Sequence, residues 1–166
     1  MSSKGENYKE VAVRFERRLP GPAERVWALI SDPATIPAWY GEDGVIEGRQ
    51  GGAVSMSGGH IKGVVTQWRP GRKIAYTWNV FSPGEAESPY LESYLALELS
   101  PEGGEVKLTL THLPILERFV AQNSMGWHTF LDMVEASARG EPVQPRPHYM
   151  RKNAALYGVD LGALTR

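Results

Sequence analysis

His112 ends an inward-facing series. In Val106-Lys107-Leu108-Thr109-Leu110-Thr111-His112, the alternation of an antiparallel strand puts Val106, Leu108, Leu110 and His112 on one face. A histidine at the end of an aliphatic row sits at one end of any space that face encloses. Imidazole titrates near neutral pH, so it could donate to a ligand or move a proton there. Its plainer role is hydrogen bonding to nearby backbone at the strand end. By the same alternation Ile74, Tyr76 and Trp78 share a face, as do Leu95, Leu97 and Leu99. Tyr76 and Trp78 are either an aromatic wall with a polar tip or ordinary core rings. Asn123 lies one helical turn before Trp127 and could present its amide to the same space. Gly126 permits close approach to a helix, at about 1 kcal/mol of helix propensity relative to Ala. Trp39 and Tyr40 could flank an entrance. The candidate ligand-binding set is therefore Trp39, Tyr40, Tyr76, Trp78, Leu97, Leu110, His112, Asn123 and Gly126.

Other chemistries find little support. There is no cysteine, which excludes disulfides, thiolate nucleophiles, iron–sulfur clusters and cysteine zinc sites. His60, His112, His128 and His148 show no paired ligand spacing, so no metal is expected. No Gly-x-Ser-x-Gly elbow is present, and Ser55-Met56-Ser57-Gly58-Gly59 reads as a hairpin turn. Neither a phosphate-cradling nor a dinucleotide-binding glycine motif occurs, so no cofactor is expected.

These side chains need elements to position them. Residues 8–19 alternate as a strand, with Val11, Val13 and Phe15 on one face. Pro22 suits the first turn of a helix carrying Val26, Leu29 and Ile30 at helical spacing, with Trp27 beside them. Asp32-Pro33 stops that helix and restarts a second, with Asp32 as N-cap. Six antiparallel strands follow, within 44–48, 53–56, 60–69, 72–81, 92–100 and 105–113, with Gly- and Pro-rich turns between. From Leu116 to Arg139 the period changes to 3.6, with Val120, Trp127, Leu131, Val134 and Ala138 on one face and Gly140 as the stop. One long helix cannot fill a curved sheet completely, which argues for a cavity between them.

The 166 residues suit one domain, a size that buries roughly 70% of its unfolded surface without metal or disulfide support. Eighteen basic and 19 acidic residues give a formal charge of −1, with the basic residues scattered. That argues against nucleic acid as a partner. No apolar run approaches the roughly 20 residues of a membrane span, and the N-terminus has no signal-like stretch. A soluble cytoplasmic protein that does not enter membranes is the expectation.

Residues 141–166 form a separate extension. Pro142, Pro145 and Pro147 make 141–148 a stiff extended arm, followed by a short helix over Tyr149–Gly158. Tyr149, Met150, Leu156, Tyr157, Val159, Leu161 and Leu164 are too apolar for an idle end. The segment should dock on its own domain (8–140) or be exchanged across a homodimer.

The segment Pro22…Arg25-Val26-Trp27…Ser31-Asp32-Pro33…Trp39 resembles the opening of START-like (SRPBCC) proteins, closest to the family named for the heat-shock protein 90 ATPase activator. Gly51-Gly52, Gly63, the strand Pro70…Ile74-Ala75-Tyr76-Thr77-Trp78, the strand Val106–His112 and Gly126-Trp127 follow in matching order. The resemblance spans residues 10 to 139 and implies an α+β helix-grip fold. In that fold a curved antiparallel sheet of about seven strands wraps a long C-terminal helix, with two short helices after the first strand. It implies less about activity, since the superfamily holds small-ligand carriers, aromatase/cyclases and chaperone-binding domains. Residues and resemblance together point first to binding of an apolar or aromatic small molecule. A cyclase or dehydratase using His112 and Tyr76 comes second, and a chaperone-cofactor-like interaction module third.

Overall fold

The computed structural model describes residues 9–35, 44–56, 59–80 and 92–163. Seven antiparallel strands form one sheet in the order β1-β7-β6-β5-β4-β3-β2. They are β1 (Glu10–Pro20), β2 (Gly44–Ile46), β3 (Ala53–Met56), β4 (Ile61–Arg69), β5 (Lys73–Val80), β6 (Ser93–Glu102) and β7 (Glu105–Leu116). From β2 to β7 each strand pairs with its neighbour in sequence, as the intervening turns require, and β1 adds to the free side of β7. Among the described residues the α-helices are α1 (Ala23–Ser31), α2 (Val120–Ala138) and α3 (Arg146–Tyr157).

The inward series of the strands are buried. Val106, Leu108 and Leu110 of β7, Leu95, Leu97 and Leu99 of β6, and Ile74 and Tyr76 of β5 are each 3% exposed or less. Against them α2 lays Trp127, Leu131, Val134 and Ala138, the 3.6-period face visible in the sequence. α1 adds Val26 and Ile30 to the same core. Trp27 meets Trp68 of β4 edge to face, ring centres 5.1 Å apart, and seats α1 on the sheet.

Several local expectations shift. Pro22 stands just before α1 with an extended backbone and is not its first helical residue. β1 bulges between Val11 and Val13, so Val11 is 39% exposed while Val13 is buried. Asp32 ends α1, accepts from the Ala34 N–H through Oδ1 at 2.9 Å, and leads into a turn over 33–35. The rest of the expected second helix lies outside the described residues. β7 runs three residues past His112's neighbour Leu113, to Leu116, and a single 3₁₀ turn, Glu117–Phe119, leads into α2.

Gly63 on β4 lies against the Thr77 backbone carbonyl of β5, so closely that a Cβ there would overlap it. The neighbouring Val64 N–H donates to Thr77 Oγ1 at 2.8 Å. Past α2, the chain is extended only over residues 141–145. α3 begins at Arg146 with Pro147 in its first turn, where a missing N–H is harmless, earlier than the sequence pattern implied. It ends at Gly158, whose φ of 67° is the left-handed cap that glycine adopts without strain.

Candidate functional site

Strand register assembles the site. Trp78 of β5 pairs directly with Ser93 of β6, and Leu95, two residues on, pairs with His112 of β7. Tyr76, Leu95 and His112 thus form one row across three strands on the inner face, Trp78 and Ser93 lie in the next, and Ser93 meets His112 on the diagonal, with Trp127 of α2 against them. Hydrogen bonds run along this diagonal. The Ser93 hydroxyl donates to the Trp78 carbonyl at 2.8 Å, so its oxygen is left to accept from His112 Nε2–H at 2.7 Å. Nδ1 of His112 is then the bare nitrogen, and it accepts the Trp127 Nε1–H at 2.9 Å. The network assigns the neutral Nε2–H tautomer, with every polar atom used once.

Rings pack around this chain. Trp127 meets His112 at 5.5 Å, Trp78 at 5.0 Å and Phe130 at 5.6 Å, all edge to face, and Tyr76 lies 6.2 Å from Trp78. His112 is 3% exposed, and burial lowers its pKa to about 4. At neutral pH it is therefore an uncharged imidazole committed at both nitrogens. Its partners are side chains from a neighbouring strand and from the helix. This geometry suits holding the Trp127 indole in one orientation better than shuttling protons.

Burial along both walls falls off toward one end. On β5 it goes from Ile74 and Tyr76, both closed, to the partly open Trp78 and Val80. On α2 it goes from Val134 and Leu131 through Trp127 to the partly open Asn123 and Val120. Asn123 turns its Nδ2 back on its own helix, donating to the Phe119 carbonyl at 3.0 Å. A Cβ placed on Gly126 would meet no atom of the described residues within 4 Å outside its own helix backbone, so among them no close approach requires glycine there.

Of the residues singled out in the sequence, Tyr76, Trp78 and His112 come together here, with Asn123 and Gly126 on the facing helix. Leu97 and Leu110 are fully enclosed and belong to the core floor. Trp39 and Tyr40 lie outside the described residues. Ser93 was not foreseen, yet the inward alternation of Leu99, Leu97 and Leu95 continued one step back arrives at it. Among the described residues, no group of three or more His, Asp or Glu is placed to hold a metal ion.

A second polar network lies on the other side of α2. Asn153 of α3 is completely buried, and its Nδ2 donates to Thr129 Oγ1 at 3.1 Å and Asp132 Oδ2 at 3.0 Å. Arg17 of β1 binds the other Asp132 oxygen at 2.9 Å. Tyr157 Oη lies 2.9 Å from His128 Nδ1. The His128 pKa is lowered by burial, with Asp132 pulling it up and Arg17 and Lys152 pushing it down. The extension therefore docks on its own domain, and a buried amide is its key. Leu156, counted among its apolar anchors by sequence, is 62% exposed.

The family model described as activator of Hsp90 ATPase homolog 1-like protein matches residues 20–138. The chain belongs to this family. No protein of curated function matches it by sequence. Among solved structures it is similar to CalU16 of Micromonospora echinospora, with a TM-score of 0.70 and 20% identity over 94% of this chain and 96% of that one. An HSP90 activator from Plasmodium falciparum has a TM-score of 0.63 and 22% identity, covering 79% of this chain and 97% of its own. The Aha1 dimer from Colwellia psychrerythraea has a TM-score of 0.63 and 16% identity, over 77% and 96%. At these identities the likeness shows the shared helix-grip fold. The family-model match ends with α2, before the extension that carries α3.

Proposed function

We propose that this chain binds an apolar or aromatic small molecule between the sheet and α2, at the end marked by Trp78, Asn123 and Gly126. The observation that carries this reading is the matched loss of burial along β5 and α2 toward that end, beside a glycine whose Cβ would meet none of the described residues outside its own helix. A ring entering there would meet the edges of Trp78 and Trp127, large apolar surfaces that favour edge-to-face contact. The committed nitrogens of His112 count against a cyclase or dehydratase that relies on it for proton transfer.

Native mass spectrometry of the freshly purified protein tests the proposal directly, with a co-purified small molecule expected. Titration with apolar aromatic compounds should shift the tryptophan fluorescence, and Trp78→Ala should weaken binding at least about tenfold while the protein still folds. If no such compound shifts the emission, the proposal fails. Family membership supports a second reading, an interaction module working through an outer surface; an HSP90 activator is among its structural relatives. Such a module would be indifferent to apolar ligands and to Trp78→Ala.

A further inference from the structure

We propose that two copies of this chain associate through the outer face of the sheet, the side turned away from α2, about a two-fold axis running along β5. This face lies opposite the ligand end proposed above, so the pairing stands or falls without it.

Residues that alternate with the buried series point outward, and cross-strand pairing lines them up in rows. One row runs through Leu113 of β7, Tyr94 of β6, Thr77 of β5, Val64 of β4 and Ala53 of β3. Leu113 is 44% exposed, Tyr94 48% and Val64 49%, and Ala53 is exposed as well. The row beside it, Thr111, Ala96 and Ala75, is small and uncharged. A contiguous apolar stripe of this kind, rimmed by charge, marks a contact between proteins.

The rim indicates what covers the stripe. β5 is the middle strand of the seven, and the charges beside it change sign from one side to the other. At one flank Glu92, just ahead of β6, and Lys62 of β4 stand on either side of Asn79. At the other flank Glu98 of β6 pairs with Lys73 of β5, and Arg69 of β4 lies beyond it. Acid falls on the β6 side both times and base on the β4 side. A second copy turned about β5 lays its β4 over β6 of the first, an isologous contact in which every pairing occurs twice. Tyr94 then meets Val64 of the second copy, Glu92 meets its Lys62, and Glu98 meets its Lys73 and Arg69. Thr77 falls on the axis, where a short side chain whose Oγ1 already accepts the Val64 N–H lets two aligned sheets approach. The Glu92 carboxylate accepts from the Tyr94 hydroxyl at 3.2 Å and the Asn79 amide at 3.5 Å, neutral groups that aim its charge without cancelling it. From β3 to β7 and from Glu92 to Glu98 the footprint is roughly 20 by 20 Å, at the small end for protein interfaces, so the pair is weak and reversible.

Sedimentation velocity on the full chain, over roughly 5 to 500 μM, should show monomer passing to dimer, as suits so small an interface. Val64→Arg, which keeps the main-chain N–H given to Thr77, should leave the chain monomeric throughout. Tyr94→Lys should do the same, and carries the test if Val64→Arg does not fold. Glu92→Lys and Lys62→Glu should each weaken the dimer at least about tenfold, by setting like charges together. Combining the two should recover the affinity, because each reversed charge again meets its opposite across the axis. A chain that stays monomeric over the whole range overturns the proposal and leaves the face to a different protein. A dimer that survives both Val64→Arg and Tyr94→Lys places the contact elsewhere and overturns it too. Undiminished affinity in either charge variant, or no recovery in the combination, overturns the axis along β5.

Discussion

Two polar networks lie back to back on α2, rooted in adjacent residues. Trp127 faces the sheet and joins a chain with no formal charge: indole, neutral imidazole, hydroxyl, backbone carbonyl. His128 faces β1 and α3 and joins one built on charges, where Arg17, Asp132 and Glu135 meet a buried amide and a phenol. The neutral network is enclosed and closes on itself. The charged one is partly solvated and leaves one atom over, since Asn153 Oδ1 is buried without a partner. The difference teaches what each setting tolerates. Beside the apolar floor only a fully paired, uncharged chain is inexpensive, whereas near the surface water shares the cost of charge. The neutral chain holds the Trp127 indole in one orientation. The charged one fixes where the tail sits.

The comparison breaks most readily at low pH. An unfolded chain takes up a proton on histidine near pH 6.5, while folded His112 resists until about pH 4. Its neutral burial therefore contributes full stability above pH 6.5, and that contribution is lost as pH falls toward 4. The loss is about 3 kcal/mol for this shift. Thermal melts from pH 7 to 4 should show it, and His112→Phe should remove that part of the slope. A wild-type slope no steeper than that of the variant would erase the contrast between the two histidines.

At neutral pH, His112→Phe should itself cost about 2 kcal/mol, because it strands the buried Trp127 N–H; denaturant titration measures it. Asn153→Ala should cost about 1.5 kcal/mol by the same assay, through two lost hydrogen bonds and a small void. It should do so without changing apolar-probe affinity, which sharpens the division of labour between the networks. Gly126→Ala should stabilise the protein, by up to about 1 kcal/mol, since α2 gains helix propensity and the added methyl meets none of the described residues outside its own helix. The same methyl fills space on the proposed ligand side, so probe binding should weaken. Tyr157→Phe should be the smallest change, within about 0.5 kcal/mol, because its contact with His128 is partly solvated.

Much of the architecture was legible because one period governs each element. Period two in β5, β6 and β7 marked Tyr76, Leu97, Leu110 and His112 as inward, and period 3.6 in α2 marked Trp127 and Val134. The family followed from motifs strung along that scaffold. The site was less legible, since hydrogen-bond partners lie across strands and are fixed by register, which no local pattern encodes. Ser93 reaches His112 from 19 residues away, and Trp127 from 15. The extension was legible in part for a different reason. Of its apolar residues Tyr149 packs against the core and Tyr157 meets His128, whereas Leu156 is exposed, and the fully buried position on α2 goes to Asn153 through Thr129 and Asp132.

The contact between Gly63 and Thr77 has a consequence for how this chain can vary. The paired strands β4 and β5 lie too close there for any side chain, so the codon at position 63 is closed to all but one amino acid whatever ligand or partner selection favours. Position 64 next to it, whose side chain is half exposed, is held by a main-chain N–H that every residue but proline possesses. A saturation library across the two sites should return a single letter at the first and a broad alphabet at the second.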